Sequence, residues 1–115
     1  MKKKSTLYWE MLPCGLTLAT WLDVSTRHIT KQDNQLLGID CDASSPTAVV
    51  FRKGDQGYVV HVPHDDIEEN ERELQEAGYG AEFIGILQIA RAEGASWVFL
   101  HTDGSETEVL PSFDW

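Results

Sequence analysis

With 9 Lys and Arg against 19 Asp and Glu, this 115-residue chain has a formal charge of −10, and at that length it can build one hydrophobic core but not two. A hydrophobic fraction of 42% with 4 Trp, 3 Tyr and 4 Phe is too rich for a disordered chain. The charge argues against direct binding of nucleic acid or an anionic membrane, because both need Lys and Arg to displace counterions.

The start carries Lys2, Lys3 and Lys4, and residues 1–6 read as a flexible basic tail on a single domain. Glu10 and Pro13 interrupt the apolar stretch that follows, no small-x-small cleavage site precedes Asp23, and no apolar run approaches the ~18–20 residues of a membrane span. A soluble cytoplasmic protein is expected; Cys14 and Cys41 lack the Cys-x-x-Cys spacing of a zinc site, and reduced packed thiols are the plainer reading beside a single disulfide between them.

Residues 16–26 (LTLATWLDVST) alternate Leu with Thr, Ala and Trp, which suits one strand or two short ones. Thr30 followed by Asp33 is a capping box with Asp in place of the commoner Glu, and predicts a short helix that buries Leu36 and Leu37 and ends at Gly38. Residues 40–47 (DCDASSPT) read as a loop. The β-branched and aromatic runs 48–52 (AVVFR) and 58–62 (YVVHV), separated by KGDQG, predict a hairpin that Pro63 ends. Residues 65–77 form a helix whose acids crowd its positive end, closed by Gly78; residues 83–93 form a more apolar helix closed by Gly94. Residues 97–100 are a strand, 102–105 a tight turn with Gly104 at a positive φ, and 106–110 a last short strand. This order predicts an α+β domain: a largely antiparallel sheet of about four to five strands with two to three helices on one face. Phe113 and Trp115, turned by Pro111, are expected to fold back and pack with Trp97.

Several of these stretches together resemble a known family: residues 25–30 (STRHIT) with Asp33 and Leu36-Leu37, residues 57–63 (GYVVHVP), residues 90–94 (ARAEG) with Trp97 and Asp103-Gly104, and the terminal LPSFDW. It is a small bacterial family of unknown function, carried largely on plasmids, prophages and genomic islands. The similarity runs from about Leu16 to the end, and the terminal Leu-Pro-x-Phe-Asp-Trp is its most specific part. The resemblance implies a mobile-element setting and supplies no catalytic residues.

Four constellations carry candidate chemistry. Residues 65–82 hold eight carboxylates and one cation, Arg72. A helix over residues 65–76 is ~16 Å long and could imitate two or three phosphates in front of a basic groove. Asp65, Asp66, Glu68, Glu69, Glu73 and Glu76 are therefore the candidate partner-binding residues, with an ordinary solvated helix face as the plainer reading. His61, His64 and Asp66 are the nearest approach to a metal or hydrolytic site, although their spacing matches no established ligand pattern. Cys14 with a histidine, or Ser25 with His28, could be drawn as a dyad but lacks the sequence context of a nucleophile. The terminal aromatics complete the set. The leading expectation is a non-enzymatic protein without a cofactor, binding a basic partner such as a nucleic-acid-binding defence effector or a toxin, in the manner of an anti-restriction, anti-CRISPR or antitoxin protein. The alternatives are a small metal-dependent or hydrolytic enzyme using His61, His64 and Asp66, and a homodimer formed through an exposed sheet edge.

Overall fold

The computed structural model describes residues 9–11, 17–55 and 57–115. The basic tail expected over residues 1–6, and Cys14, lie outside the described residues. Two short strands, β1 (Trp9–Met11) and β2 (Thr17–Ala19), pair antiparallel. The main body then runs β3 (Trp21–Ser25), a 3-10 turn (Thr26–His28), α1 (Lys31–Asp42), β4 (Val50–Lys53), β5 (Gly57–His61), α2 (Ile67–Ala77), α3 (Ala81–Ala92) and β6 (Trp97–His101). Its four strands lie in the order β3-β6-β5-β4. The fold is α+β, with the helices packed against the sheet.

The sheet is mixed and largely antiparallel, as expected: two of its three strand pairs, β4-β5 and β5-β6, are antiparallel. β6 enters last, between β3 and β5, antiparallel to β5 but parallel to β3. A parallel pair needs a long crossover, and everything from α1 to α3 supplies it. Side chains alternate across the strands, so Val24, Val98, Leu100, Val60 and Val50 face the helices and bury against Leu37, Leu74, Phe83 and Ile86 in one core.

Helix α1 starts as predicted. Thr30 Oγ1 accepts from the Asp33 amide at 3.0 Å, and Asp33 Oδ2 accepts from the Thr30 amide at 3.2 Å. It does not end at Gly38, however, but continues to Asp42. Gly38 serves packing instead: a Cβ there would sit 3.1 Å from the Tyr58 hydroxyl. The expected loop over residues 40–47 is accordingly shorter, and Asp40 becomes an anchor that accepts from the Thr47 and Ala48 amides and from the Tyr79 hydroxyl at 2.6 Å. Burial, then that hydrogen bond, pushes the Tyr79 phenol well above its ordinary value of 10.0.

Helix α2 begins at Ile67 rather than at Asp65, because Asp66 takes the left-handed conformation (φ 52°) and stands outside the helix. Gly78 closes it in the left-handed conformation, as predicted. The last expected strand, over residues 106–110, is absent. That stretch is an irregular strap whose Thr107 amide donates to a side chain, His28 Nε2, at 3.1 Å rather than to a ladder. Gly104 is likewise not at a positive φ. It is needed because the turn lies against β3, where a Cβ would come within 2.3 Å of the Val24 carbonyl oxygen.

Candidate functional site

The six candidate acids Asp65, Asp66, Glu68, Glu69, Glu73 and Glu76 are all exposed. The 3.6-residue period explains this: Leu74 is buried and Ile67, Asn70 and Ala77 are half-buried, which turns positions 68, 69, 73 and 76 outward. The acid that the fold uses for itself is Glu71, whose Oε2 receives Arg91 Nη1 at 3.4 Å and Gln88 Nε2 at 3.1 Å. Arg91 also donates to the Pro63 carbonyl at 3.0 Å, tying α3 to the end of β5. Among the described residues, the cation paired with an outward acid of α2 is Arg72, 3.5 Å from Glu69. An exposed pair of this kind is worth ~0–1 kcal/mol, so the outward acids remain available.

The histidine group takes a different form from the one its spacing suggested. His64 Nε2 lies 2.9 Å from the Ala95 carbonyl oxygen. The His61 ring sits edge-on to Trp97, with centroids 5.2 Å apart. Burial, followed by the nearby charge of His64, lowers its pKa from 6.5, which favours the neutral ring. Among the described residues no three His, Cys, Asp or Glu side chains converge on a point where a metal could sit. Cys41 is a free thiol. Ser25 Oγ accepts from the Arg27 amide, and His28 is committed to backbone partners.

Two surfaces were not foreseen. The sheet face turned away from the helices carries aromatic rows, because the register places Trp21, Trp97 and His61 in one line and Asp23, Phe99, Val59 and Phe51 in the next. Trp21 stacks on Phe99 at 5.3 Å and Phe99 on His101 at 4.0 Å, while Trp21 and Phe51 stay 53% and 55% exposed. The alternation in WVFLH (residues 97–101), a buried residue between each pair of aromatic ones, was the available signal. At the margin, Asp23 Oδ1 accepts from the Ser105 amide at 2.9 Å and Asp23 also meets His101 Nε2 at 3.2 Å. The Ser105 hydrogen bond, outweighing slight burial, holds this carboxyl below its ordinary value of 3.8.

The second is a cleft of about 450 Å³ at the carboxyl ends of the parallel strands β3 and β6. Arg27 from the 3-10 turn, Asn34 from α1, Arg52 and Tyr58 from the hairpin, and Phe113 and Trp115 from the tail line it. The tail reaches this place because of His28, which is fully buried. His28 Nε2 accepts from Thr107, so Nδ1 carries the proton and donates to the Pro111 carbonyl at 2.8 Å, fixing the tautomer. The Phe113 amide then donates to the Arg27 carbonyl at 2.8 Å, and Trp115 Nε1 to the Ile29 carbonyl at 2.9 Å. The aromatic tail does fold back, but onto the segment between β3 and α1. Trp97, its expected partner, instead meets Phe51 and His61. The cleft escaped sequence reasoning because its walls come from positions up to 89 residues apart, Thr26 and Trp115. The signal was present all the same: residues 25–30, residues 57–63 and the terminal LPSFDW, quoted above for their resemblance, all contribute to it.

Among the described residues no helix is long and apolar enough to cross a membrane. No curated protein and no solved structure matches the chain. Residues 21–115, from the first residue of β3 through the tail that closes the cleft, match the model described as the family of unknown function (DUF5983) C-terminal domain. By that match, which takes in the whole four-stranded sheet, its helices and the tail, the chain belongs to this family of unknown function.

Proposed function

We propose that this domain is a non-catalytic interaction protein of mobile-element origin that binds a basic protein surface, with helix α2 as the contact. The observation that carries this reading is the division of labour on α2 and the two residues before it: Glu71 is turned inward to Arg91, while Asp65, Asp66, Glu68, Glu69, Glu73 and Glu76 are all exposed. Over ~16 Å those acids supply a negative strip, and complementary charge of this kind acts chiefly on the rate and specificity of encounter. A basic groove evolved for nucleic acid, on a defence effector or a toxin, has the matching chemistry. Reversing Glu69, Glu73 and Glu76 to Lys changes the local charge by six units at exposed positions. It is expected to leave the fold intact and to slow association with the captured basic partner by at least about tenfold at low salt, with a weaker salt dependence. Kinetics measured on the partner recovered from a bacterial lysate check this; rates that are indifferent to both the reversal and salt count against the reading.

A second reading, a homodimer, is favoured by one specific observation: the helix-free sheet face exposes Trp21 and Phe51, and β4 ends the sheet with residues 51–53 exposed. Phe51→Lys is then expected to turn a dimer into a monomer in sedimentation velocity, and a wild-type chain that sediments as a monomer at high concentration removes this reading.

A further inference from the structure

The acidic helix leaves the cleft at the carboxyl ends of β3 and β6 without a role, yet the lining, with Arg27 and Arg52 beside Asp55 and Asp114, is balanced in charge where the chain as a whole is strongly acidic. Residues 20–115 hold six Lys and Arg, and four of them, Arg27, Lys31, Arg52 and Lys53, belong to three of the elements that wall the cleft, the 3-10 turn, α1 and β4. Two of the four, Arg27 and Arg52, line it directly. Both guanidiniums are about half-exposed, and their polar contacts are long: Arg27 with Asp114 at 3.5 Å and Glu106 at 4.0 Å, Arg52 with Asp42 at 3.9 Å and the Tyr58 hydroxyl at 3.5 Å, with the Arg52 guanidinium also 5.3 Å from the centre of the Tyr58 ring. Such contacts yield readily to a bidentate anion, for which the planar guanidinium is shaped.

We propose that this cleft binds a mononucleotide, with its phosphate held between Arg27 and Arg52 and its base against Trp115. About 450 Å³ is within the range of small-molecule sites. The half-exposed Trp115 indole is held in place by its hydrogen bond to Ile29 and offers a stacking surface that accepts any base. Asn34 and Thr102 supply neutral polar groups, and Asp55 at the rim supplies an acceptor for a sugar hydroxyl or an exocyclic amine. The position is also where open sheets place ligands, outside the carboxyl ends of parallel strands. A polynucleotide suits it poorly. A chain at −10 repels a run of phosphates, and Asp55 and Asp114 on the lining tolerate one phosphate but not a series.

The test is calorimetric titration of the full chain with AMP, adenosine, ribose 5-phosphate and an eight-residue oligodeoxyadenylate, with the Trp115 indole N–H followed by NMR. AMP is expected to saturate at or below ~1 mM and to shift the Trp115 signal, with adenosine and ribose 5-phosphate each at least about tenfold weaker. Arg27→Gln and Arg52→Gln are each expected to weaken AMP by at least about tenfold with an unchanged melting curve, whereas Glu69→Lys with Glu73→Lys and Glu76→Lys leaves AMP binding intact. Failure of AMP to saturate, adenosine binding as tightly as AMP, arginine variants that bind like wild type, or an oligonucleotide that outcompetes AMP each overturns the proposal. Loss of partner association in the α2 variant with AMP binding retained separates this site from the acidic one.

Discussion

Replacing His28 by Ala is expected to lower unfolding free energy by about 3–4 kcal/mol and to release the C-terminal strap. The side chain is fully buried and bonds two backbone groups from a distant part of the chain, the Thr107 amide and the Pro111 carbonyl. Its removal strands both partners at ~1–3 kcal/mol for each that stays buried and opens a cavity as well. Part of this is recovered when the strap swings out to water, which is why the total stays below the simple sum. That relaxation is itself measurable. The Phe113 amide, now bonded to the Arg27 carbonyl, should exchange at a rate close to that of an unfolded chain, and the midpoint of thermal unfolding should fall by roughly 12–17 °C. His28→Asn places an amide where Nδ1 stood and is expected to restore the Pro111 contact but not the Thr107 one. A His28→Ala protein with wild-type stability and a protected Phe113 amide would show that the strap is held by other contacts.

Asp33→Ala should be nearly as damaging, at about 3 kcal/mol, for a different reason. One oxygen of Asp33 completes the reciprocal cap with Thr30, while the other accepts from the Gly80 amide at 2.9 Å, in the link between α2 and α3. Loss of the reciprocal capping bond costs about 1 kcal/mol. The stranded Gly80 amide adds ~1–3 kcal/mol, because that bond fixes α3 against α1 and water does not replace it well. Asp33→Asn keeps an acceptor for one of the two amides, so it is expected to lose about half as much. Urea unfolding of the two variants checks the order; equal midpoints for Asp33→Ala and wild type would mean that the α1 start is fixed by Leu37 and its neighbours alone.

Both cases bear on what the 19 acids are for. Read along the chain they are a charge total, and the total hides the acids that the fold consumes: Asp23 holds the Ser105 turn, Asp33 the Gly80 link, Asp40 the residues before β4 and the Tyr79 hydroxyl, and Glu71 the Arg91 guanidinium. The sequence neighbourhoods of Asp23 and Asp40 are no more distinctive than those of Glu69 or Glu73. Asp33 was marked in advance by its capping-box spacing from Thr30, and helical periodicity with Leu74 inside turns Glu71 partly inward.

Local chemistry was legible from the residues themselves. The Thr30–Asp33 capping box, the hairpin around residues 53–57, the left-handed stop at Gly78 and the apolar stripe of α3 each depend on residues within a few positions of one another, so propensity and spacing are enough to define them. The errors have a common origin. Gly38 carried the helix signal of a terminus but packs against Tyr58, Gly104 carried a turn signal but packs against Val24, and residues 106–110 carried a strand signal but bond to His28. In each the deciding partner lies at least 20 residues away. Sequence by itself therefore determined an acidic α+β domain with its main helices, its central hairpin and an outward acidic row on α2. Tertiary structure alone decided that β6 inserts parallel to β3, that the opposite sheet face keeps its aromatics uncovered, and that the tail closes a cleft around Arg27 and Arg52. The physical reason is that register, crossover and close approach depend on which distant surfaces fit together, and a single chain of letters specifies those contacts only through the whole core.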